Sequence, residues 1–259
     1  MSRYAPGAVV VSGASQNIGR AIAERLGAEG FTVVATARNA DALDEVCSSI
    51  RSAGGRAHAF ATDISDPVQI RELAMAATDA AGPILALVNN AAYLPAEALV
   101  ADQGVLETED WVWDGHWDVD VRGTTRMIQA FLPGMLEAGQ GSIVNIGSML
   151  GAQPLPGRQV AYGVCKAAID MLTRHVAVTY GARGVRCNGV SPGSIITEKQ
   201  RELYSEDELA RKLTSYPSPR LGAPEDVASA VSYLVQPESV FVNGQIVAVD
   251  GGITNKLVL

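Results

Sequence analysis

The sequence predicts an α/β protein built on a doubly wound, seven-stranded parallel sheet with helices on both faces, and three observations carry that prediction. Seven short runs of β-branched and apolar residues recur along the 259 residues, separated by longer stretches of helical periodicity. Several of these runs are apolar on both alternations, the pattern of strands covered on two faces. No linker, internal repeat or low-complexity stretch interrupts the series, so residues 1–259 read as a single domain.

In order, the strand candidates are "AVVVS" (8–12), "TVVAT" (32–36), "AHAFA" (57–61), "LALVN" (85–89), "SIVNI" (142–146), "VRCNGV" (185–190) and "IVAVD" (246–250). Between them, segments such as "RAIAERLGAEG" and "DPVQIRELAMAATDAAG" repeat apolar residues as a helix with one buried face does. An apolar content of 47% against 19% charged residues suffices for a sizeable core and argues against disorder. The net charge of −8 leaves no basic footprint for nucleic acid. Cys47, Cys165 and Cys187 are too scattered for a disulfide framework or a zinc site, and read as small core residues in a reducing compartment. The opening "MSRYAPGAVVVSGASQ" lacks the long apolar stretch of a signal peptide, and no segment approaches the length of a membrane span. The expectation is a cytoplasmic protein with no membrane or nucleic-acid partner.

In a doubly wound sheet, ligands bind outside the carboxyl ends of the strands, where the strand order reverses. The residues that follow each strand are therefore the candidates. In "SGASQNIGRAIAERL", Gly13 and Gly19 bracket a tight turn feeding a helix that starts near Ile18. That geometry sets backbone N–H groups and the positive helix end against a pyrophosphate, although glycines also serve such turns for steric reasons alone. The second strand ends in "ATARN", where Thr36 and Ala37 are not acidic and Arg38 is basic. An acid there would bind ribose hydroxyls; an arginine suits a 2′-phosphate, or is a solvated loop residue. Asp63 in "TDISDP" either faces an adenine or belongs with the capping of the next helix at Asp66-Pro67. The amides in "VNNAA" can tie backbone turns together and line a cleft. "NIGSMLG" delivers Ser148 to the same edge, and "VSPGSIIT" adds Pro192, Gly193, Ile195 and Thr197. His58, His116 and His175 are far apart along the chain and suggest no metal site.

Within "AYGVCKAAIDML", Tyr162 and Lys166 stand four apart in an apolar run and share one helical face. Either the face is partly exposed, with a snorkelling lysine, or Lys166 stabilises the phenolate and makes Tyr162 a proton donor.

In this order and spacing, these elements make the chain similar to the short-chain dehydrogenase/reductase family over essentially its whole length. The matches are "SGASQNIG" to the family's Thr-Gly-x3-Gly-x-Gly turn, "NNAA" to Asn-Asn-Ala-Gly, Ser148, "YGVCK" to Tyr-x3-Lys, and "SPGSIIT" to the Pro-Gly segment. "RLGAPEDVASAVSYL" and the closing "NGQIVAVDGG" add support. The resemblance implies a Rossmann-type fold, interconversion of a carbonyl and a secondary alcohol by hydride transfer with NAD(P)(H), and a homotetramer. The substrate would be a small carbonyl or alcohol compound, such as a ketone or a 3-oxoacyl compound. The implied cofactor residues are Gly13, Ser15, Asn17, Ile18, Gly19, Arg38, Asp63, Ile64, Asn90, Ala91, Tyr162, Lys166, Pro192, Gly193, Ile195 and Thr197. Arg38 favours NADP(H) over NAD(H), with Ser15 adding a hydrogen bond to the 2′-phosphate. Tyr162 would give or take the substrate proton, Lys166 would hold the phenolate and the nicotinamide ribose, and Ser148 would bind the carbonyl oxygen.

Three departures from the family pattern stand out. Asn17 replaces the middle glycine of the turn, and asparagine tolerates a left-handed backbone. Ala92 replaces the last glycine of Asn-Asn-Ala-Gly. Asp120 stands where the family's catalytic tetrad has asparagine; its carboxylate either lies close to Lys166 or points away to Arg122 or solvent. The longer segment before it carries Trp111, Trp113 and Trp117, all expected to pack in the core. A lid is expected over roughly residues 194–220, with Leu94, Leu150 and Pro154 lining the substrate pocket. The competing reading is a dinucleotide-binding sensor or scaffold without turnover; the intact Ser148–Tyr162–Lys166 set argues against it.

Overall fold

Val9 and Val11 pack into one hydrophobic core and Ala8 and Val10 into another, so the first strand is buried on both faces. The same division repeats along the sheet of this computed structural model, which describes residues 7–197, 201 and 204–256. The strands are β1 (Ala8–Ser12), β2 (Thr32–Ala37), β3 (Arg56–Ala61), β4 (Ile84–Asn89), β5 (Gly141–Ile146), β6 (Val185–Pro192) and β7 (Ile246–Val249). They form one parallel sheet in the order β3-β2-β1-β4-β5-β6-β7. The chain winds outward from β1 to β3 and then from β4 to β7, so the order reverses between β1 and β4.

One face of the sheet is covered by α1 (Asn17–Ala28), α2 (Ala40–Ser52) and the helix Pro224–Val235, through Ile22, Leu26, Leu43, Val46, Val227 and Val231. The other is covered by α3 (Pro67–Ala81), α6 (Thr124–Glu137) and α7 (Val160–Tyr180), through Ile70, Leu73, Met127, Phe131 and Val176. Each large aliphatic side chain buried there contributes about 1.5–3 kcal/mol. Two short helices, α4 (Ala96–Ala101) and α5 (Asp110–His116), fill the long connection after β4, and a π-helical turn, Trp117–Gly123, joins α5 to α6.

One chain of buried amide and hydroxyl groups crosses these layers. Asn89 Nδ2 donates to Asn145 Oδ1 (2.8 Å) across β4 and β5, and Asn145 Nδ2 donates to Thr173 Oγ1 on α7 (2.9 Å). The pairing links the middle of the sheet to the helix that carries Tyr162 and Lys166.

The strands fall where the sequence puts them, with β6 running on to Pro192 and β7 ending at Val249. There Asp250 turns the chain, its carboxylate accepting the N–H of Gly252 (2.8 Å) and of Thr254 (3.1 Å). The tryptophans depart from expectation: Trp111 and Trp117 are each 41% exposed and Trp113 is half-buried. The turn Trp117–Gly123 spends its inward positions on Asp120 and Gly123 instead. In the expected lid, the helix Glu206–Thr214 begins with a capping box formed by Ser205 and Glu208 and buries none of its residues. Tyr216 Oη accepts the N–H of Ser194 (3.0 Å), tying the start of the segment to its end. Glu198, Lys199 and Glu202 of that segment, and residues 257–259 of the apolar tail, lie outside the described residues. Among the described residues no helix is long and apolar enough to cross a membrane.

Asp170, also on α7, is buried and its Oδ1 has no hydrogen-bond partner among the described residues. Burial pushes its carboxyl from 3.8 up to about 6, against the opposing pull of Arg174 and Lys166. Between those two values the folded protein keeps a proton that the unfolded chain has released, so this group's contribution falls as pH rises through that window. Asp170→Asn should therefore stabilise the fold at pH 7 by up to about 3 kcal/mol, and by less near pH 4. Thermal unfolding at both pH values checks this; an unchanged Tm at pH 7 would refute it.

Candidate active site

The cleft begins where β1 passes into α1. Gly13 takes φ +65° and Asn17 φ +51°, both left-handed, so asparagine does sustain the turn at the position where glycine is usual. A Cβ on Gly19 would sit 2.1 Å from the Gly13 carbonyl oxygen and 2.5 Å from Asn90 Nδ2, so α1 can close on the turn only with glycine there. Asn90 Nδ2 donates to the carbonyls of Ser12 (3.0 Å) and Gly13 (3.1 Å). Ser12 Oγ accepts the N–H groups of Asn90 (3.0 Å) and Ala91 (3.1 Å) in return. The ends of β1 and β4 are thereby locked together at the point where strand order reverses. Of the two adjacent amides, Asn90 ties the turn and Asn89 faces the sheet interior.

A cleft of about 590 Å³ runs from this turn along the carboxyl edge of the sheet. Gly13, Ser15, Asn17, Ile18, Gly19, Arg38, Asp63, Ile64, Asn90, Ala91, Ser148, Tyr162, Lys166, Pro192, Gly193, Ile195 and Thr197 all line it. Three of its features fit a dinucleotide. The N-terminus of α1 has no side-chain cap and no acid in its first turn, leaving its N–H groups for an anion. The buried Thr36 Oγ1 at the end of β2 has no partner, and Arg38 stands exposed at the rim with no ion pair among the described residues. Asp63 and Asp66 divide the work that the sequence leaves open between them. Asp66 caps α3 through the Val68 N–H (2.7 Å), and Asp63 lines the cleft while accepting from Ser65 N–H (2.8 Å) and Oγ (2.7 Å).

At the far end, β5 delivers Ser148, whose Oγ accepts the N–H of Leu150 (3.2 Å). Tyr162 and Lys166 stand one turn apart on α7, with Lys166 Nζ 5.4 Å from the centre of the Tyr162 ring. Lys166 is not a snorkelling surface residue. It is 3% exposed, and its Nζ donates to Asp120 Oδ1 (3.0 Å) and to the Ile146 carbonyl (3.3 Å). Burial opposes the ammonium charge, but Asp120 and Tyr162 outweigh it and hold the lysine above its ordinary value. Burial likewise works against the Asp120 carboxylate, and Lys166 and His116 outweigh it and hold the group below the usual aspartate value.

Asp120 lies behind the cleft wall, fully buried in the π-helical turn. Of the two orientations open to it from sequence, the one toward Arg122 does not occur: Arg122 pairs with Asp118. Two neighbours were not legible as site residues. His116, fully buried, places Nδ1 2.9 Å from Asp120 Oδ2, and Asp102 places a carboxylate oxygen 3.7 Å from His116 Nε2. Spacing could have flagged His116, since it lies four residues before Asp120; nothing local flags Asp102. The pocket lining also needs correction. Leu94 borders the cleft, whereas Leu150 and Pro154 line a separate hollow of about 400 Å³ with Gln103, Val160 and Val164. Among the described residues no group of His, Cys, Asp or Glu has the arrangement to hold a metal ion.

A doubly wound sheet with a glycine turn at its switch point and a Ser, Tyr, Lys set at the other end of one cleft defines a dinucleotide-dependent oxidoreductase. A family model described as enoyl-(acyl carrier protein) reductase matches residues 13–254. 2-(S)-hydroxypropyl-CoM dehydrogenase 3 of Xanthobacter autotrophicus strain Py2 is 34% identical over 95% of this chain and 96% of its own. A 3-oxoacyl-(acyl-carrier-protein) reductase of Vibrio cholerae is 32% identical over 94% and 95%. Among solved structures, a variant of actinorhodin polyketide ketoreductase with NADPH superposes with a TM-score of 0.88 at 30% identity, covering 99% of this chain and all of that one. The chain belongs to the short-chain dehydrogenase/reductase family, whose members interconvert carbonyls and alcohols with NAD(P)(H).

Proposed function

We propose that the protein is an NADP(H)-dependent reductase or dehydrogenase of the cytoplasm, acting on a ketone or 3-oxoacyl compound, with Ser148, Tyr162 and Lys166 as its reacting set. The observation that carries the reading is the convergence of these three side chains on the wall of one cleft whose other end is the Gly13–Gly19 turn. When bound, the cofactor supplies or accepts the hydride at the substrate carbon. Ser148 Oγ donates a hydrogen bond to the substrate oxygen and stabilises the negative charge that develops there. Tyr162 gives that oxygen its proton in reduction and takes it back in oxidation. Lys166, a cation held in place by Asp120, favours the phenolate that remains. The uncapped N-terminus of α1 and the turn before it receive the pyrophosphate.

Tyr162→Phe keeps the ring and removes the proton donor, so turnover of NADPH with a ketone panel should fall by at least about 100-fold. Binding of NADPH, followed by nucleotide fluorescence, should persist. Near-native turnover in that variant would sink the assignment.

Arg38, together with the lack of a carboxylate at Thr36 or Ala37, favours NADP(H), because an acid there would repel the 2′-phosphate. Replacing Ala37 with Asp and Arg38 with Leu should reverse the preference between NADPH and NADH. Measured Kd values in the native protein with NADH the tighter ligand would refute the choice of cofactor.

The reading extends to assembly. Val164, Met171 and Val178 on α7 are exposed at seven-residue spacing, an apolar seam that a monomer leaves in water. Exposed Trp111 and Trp117 add apolar surface. Packing of such seams in pairs supports a homotetramer. Light scattering at micromolar concentration should give four times the chain mass, and a monomer mass would overturn this.

A further inference from the structure

An aspartate at position 120 creates a problem that the site has to solve. Its carboxylate is buried beside the pair that must sustain a phenolate, and a nearby anion opposes that ionisation. The contacts around it suggest how the charge is offset. Lys166 Nζ donates to Asp120 Oδ1 (3.0 Å), and His116 Nδ1 lies 2.9 Å from Asp120 Oδ2. His116 Nε2, buried and without a hydrogen-bond partner among the described residues, faces Asp102 Oδ2 at 3.7 Å. Asp102 accepts the backbone N–H of Ala161 through one oxygen and that of Tyr162 through the other, both at 2.9 Å. The contacts therefore run from the Tyr162 backbone through Asp102, His116 and Asp120 to Lys166, and close on α7 within one helical turn.

The proton inventory of this ring is short. Both Asp102 oxygens are engaged as acceptors, and Asp120 accepts from Lys166. With both carboxylates ionised and Lys166 charged, the sum is one negative charge. A neutral imidazole has one N–H and one lone pair, so one ring nitrogen of His116 would aim a lone pair at a carboxylate oxygen. An imidazolium faces each carboxylate with a proton and brings the sum to zero. The titratable groups around it are Asp102 after α4, Asp120 in the π turn, Tyr93 from the loop after β4, and Tyr162 and Lys166 on α7. The Tyr93 and Tyr162 rings stand edge-on to the imidazole at 5.3 and 5.6 Å. Cys165 adjoins the two carboxylates as a thiol, with burial first and the two aspartates next pushing it up to about 12.

We infer that His116 is a positioning residue held as an imidazolium between Asp102 and Asp120, and that it supplies the counter-charge with which an aspartate at position 120 can serve the Tyr162–Lys166 pair. The inference rests on the reading of Tyr162 as the proton donor, but its first test does not. In a protein carrying His58→Gln and His175→Gln, His116 is the one remaining histidine. Nitrogen-15 resonances of its ring should show both nitrogens protonated at about pH 7, half a unit above the ordinary histidine value. A single neutral tautomer there would overturn the inference, whatever Tyr162→Phe does to turnover.

The second test follows Tyr162 itself, through tyrosinate absorbance measured against the Tyr162→Phe protein. His116→Gln should move the Tyr162 titration upward by about one pH unit, because the ring of contacts is left with a net negative charge. Asp120→Asn alone should move it downward, and His116→Gln combined with Asp120→Asn should return it close to the native position. A merely structural histidine would leave the double variant as perturbed as the single one, and that result, or a native titration in His116→Gln, would overturn the inference. If either variant fails to fold, the nitrogen-15 measurement decides alone.

Discussion

Lys166 is an ammonium group 3% exposed to solvent, and the design around the site follows from keeping that charge where it is. It has to stand one helical turn from Tyr162 and reach the cleft, which puts its Nζ beside the Ile146 carbonyl inside the protein. A charge at that depth costs several kcal/mol unless an opposite charge meets it in good geometry, and stripping one partner from such a pair costs about 3–5 kcal/mol. Asp120 is that partner. Its carboxylate is buried in a π turn between α5 and α6, a local distortion that recurs at functional sites. Gly123 ends the turn where a Cβ would press to 2.9 Å from Ile64 Cδ1.

The other pole of the cleft is governed by steric closeness. Gly19, Gly13 and Asn90 bring backbone to backbone at the switch between β1 and β4, and no side chain fits between them. The two poles are held at fixed separation by the sheet. Asn89, Asn145 and Thr173 carry hydrogen bonds from β4 through β5 into α7, so the helix with Tyr162 and Lys166 is referenced to the strand that anchors the glycine turn. Asp102 secures the same helix at its start, taking the place of a cap by accepting from Ala161 and Tyr162. Rigid anchorage at both places is what the proposed orientation of Tyr162 and Lys166 against a long cofactor would demand.

Much of this was legible in the sequence because it is local. β-branched runs gave the strands to within a residue or two, and four-residue spacing gave Tyr162 and Lys166 a common face. Asp120 was legible as a departure, but its direction was not. Asp120 sits in a π turn, which helical periodicity in the sequence does not reveal. His116 reads from the sequence as one of three scattered histidines, and its four-residue spacing from Asp120 is the useful signal. Asp102 meets Ala161 and Tyr162 across some sixty positions of sequence, and no pattern in a single chain reveals such a contact. The tryptophans depart from expectation because aromatic size favours burial on average, while here two of them spend it on an outer surface.

An amide at position 120 would need no counter-charge, so the aspartate has to be judged by what its charge does as well as by what it requires. The carboxylate is held below 3.8 despite burial, so its contribution to stability is complete above that value and is lost as pH falls. The lysine is held above 10.5, so its contribution is complete below that value and is lost as pH rises past it. The two windows overlap across the whole neutral range. There the pair stays ionised and Lys166 keeps its proton beside Tyr162, the group proposed above as the proton donor. An asparagine would hold the lysine by a dipole alone, and burial, which already pulls against the ammonium, would act with less opposition. The aspartate thus secures a fixed cation beside the proposed proton donor, and the inferred charge on His116 would be the means by which the buried carboxylate is tolerated.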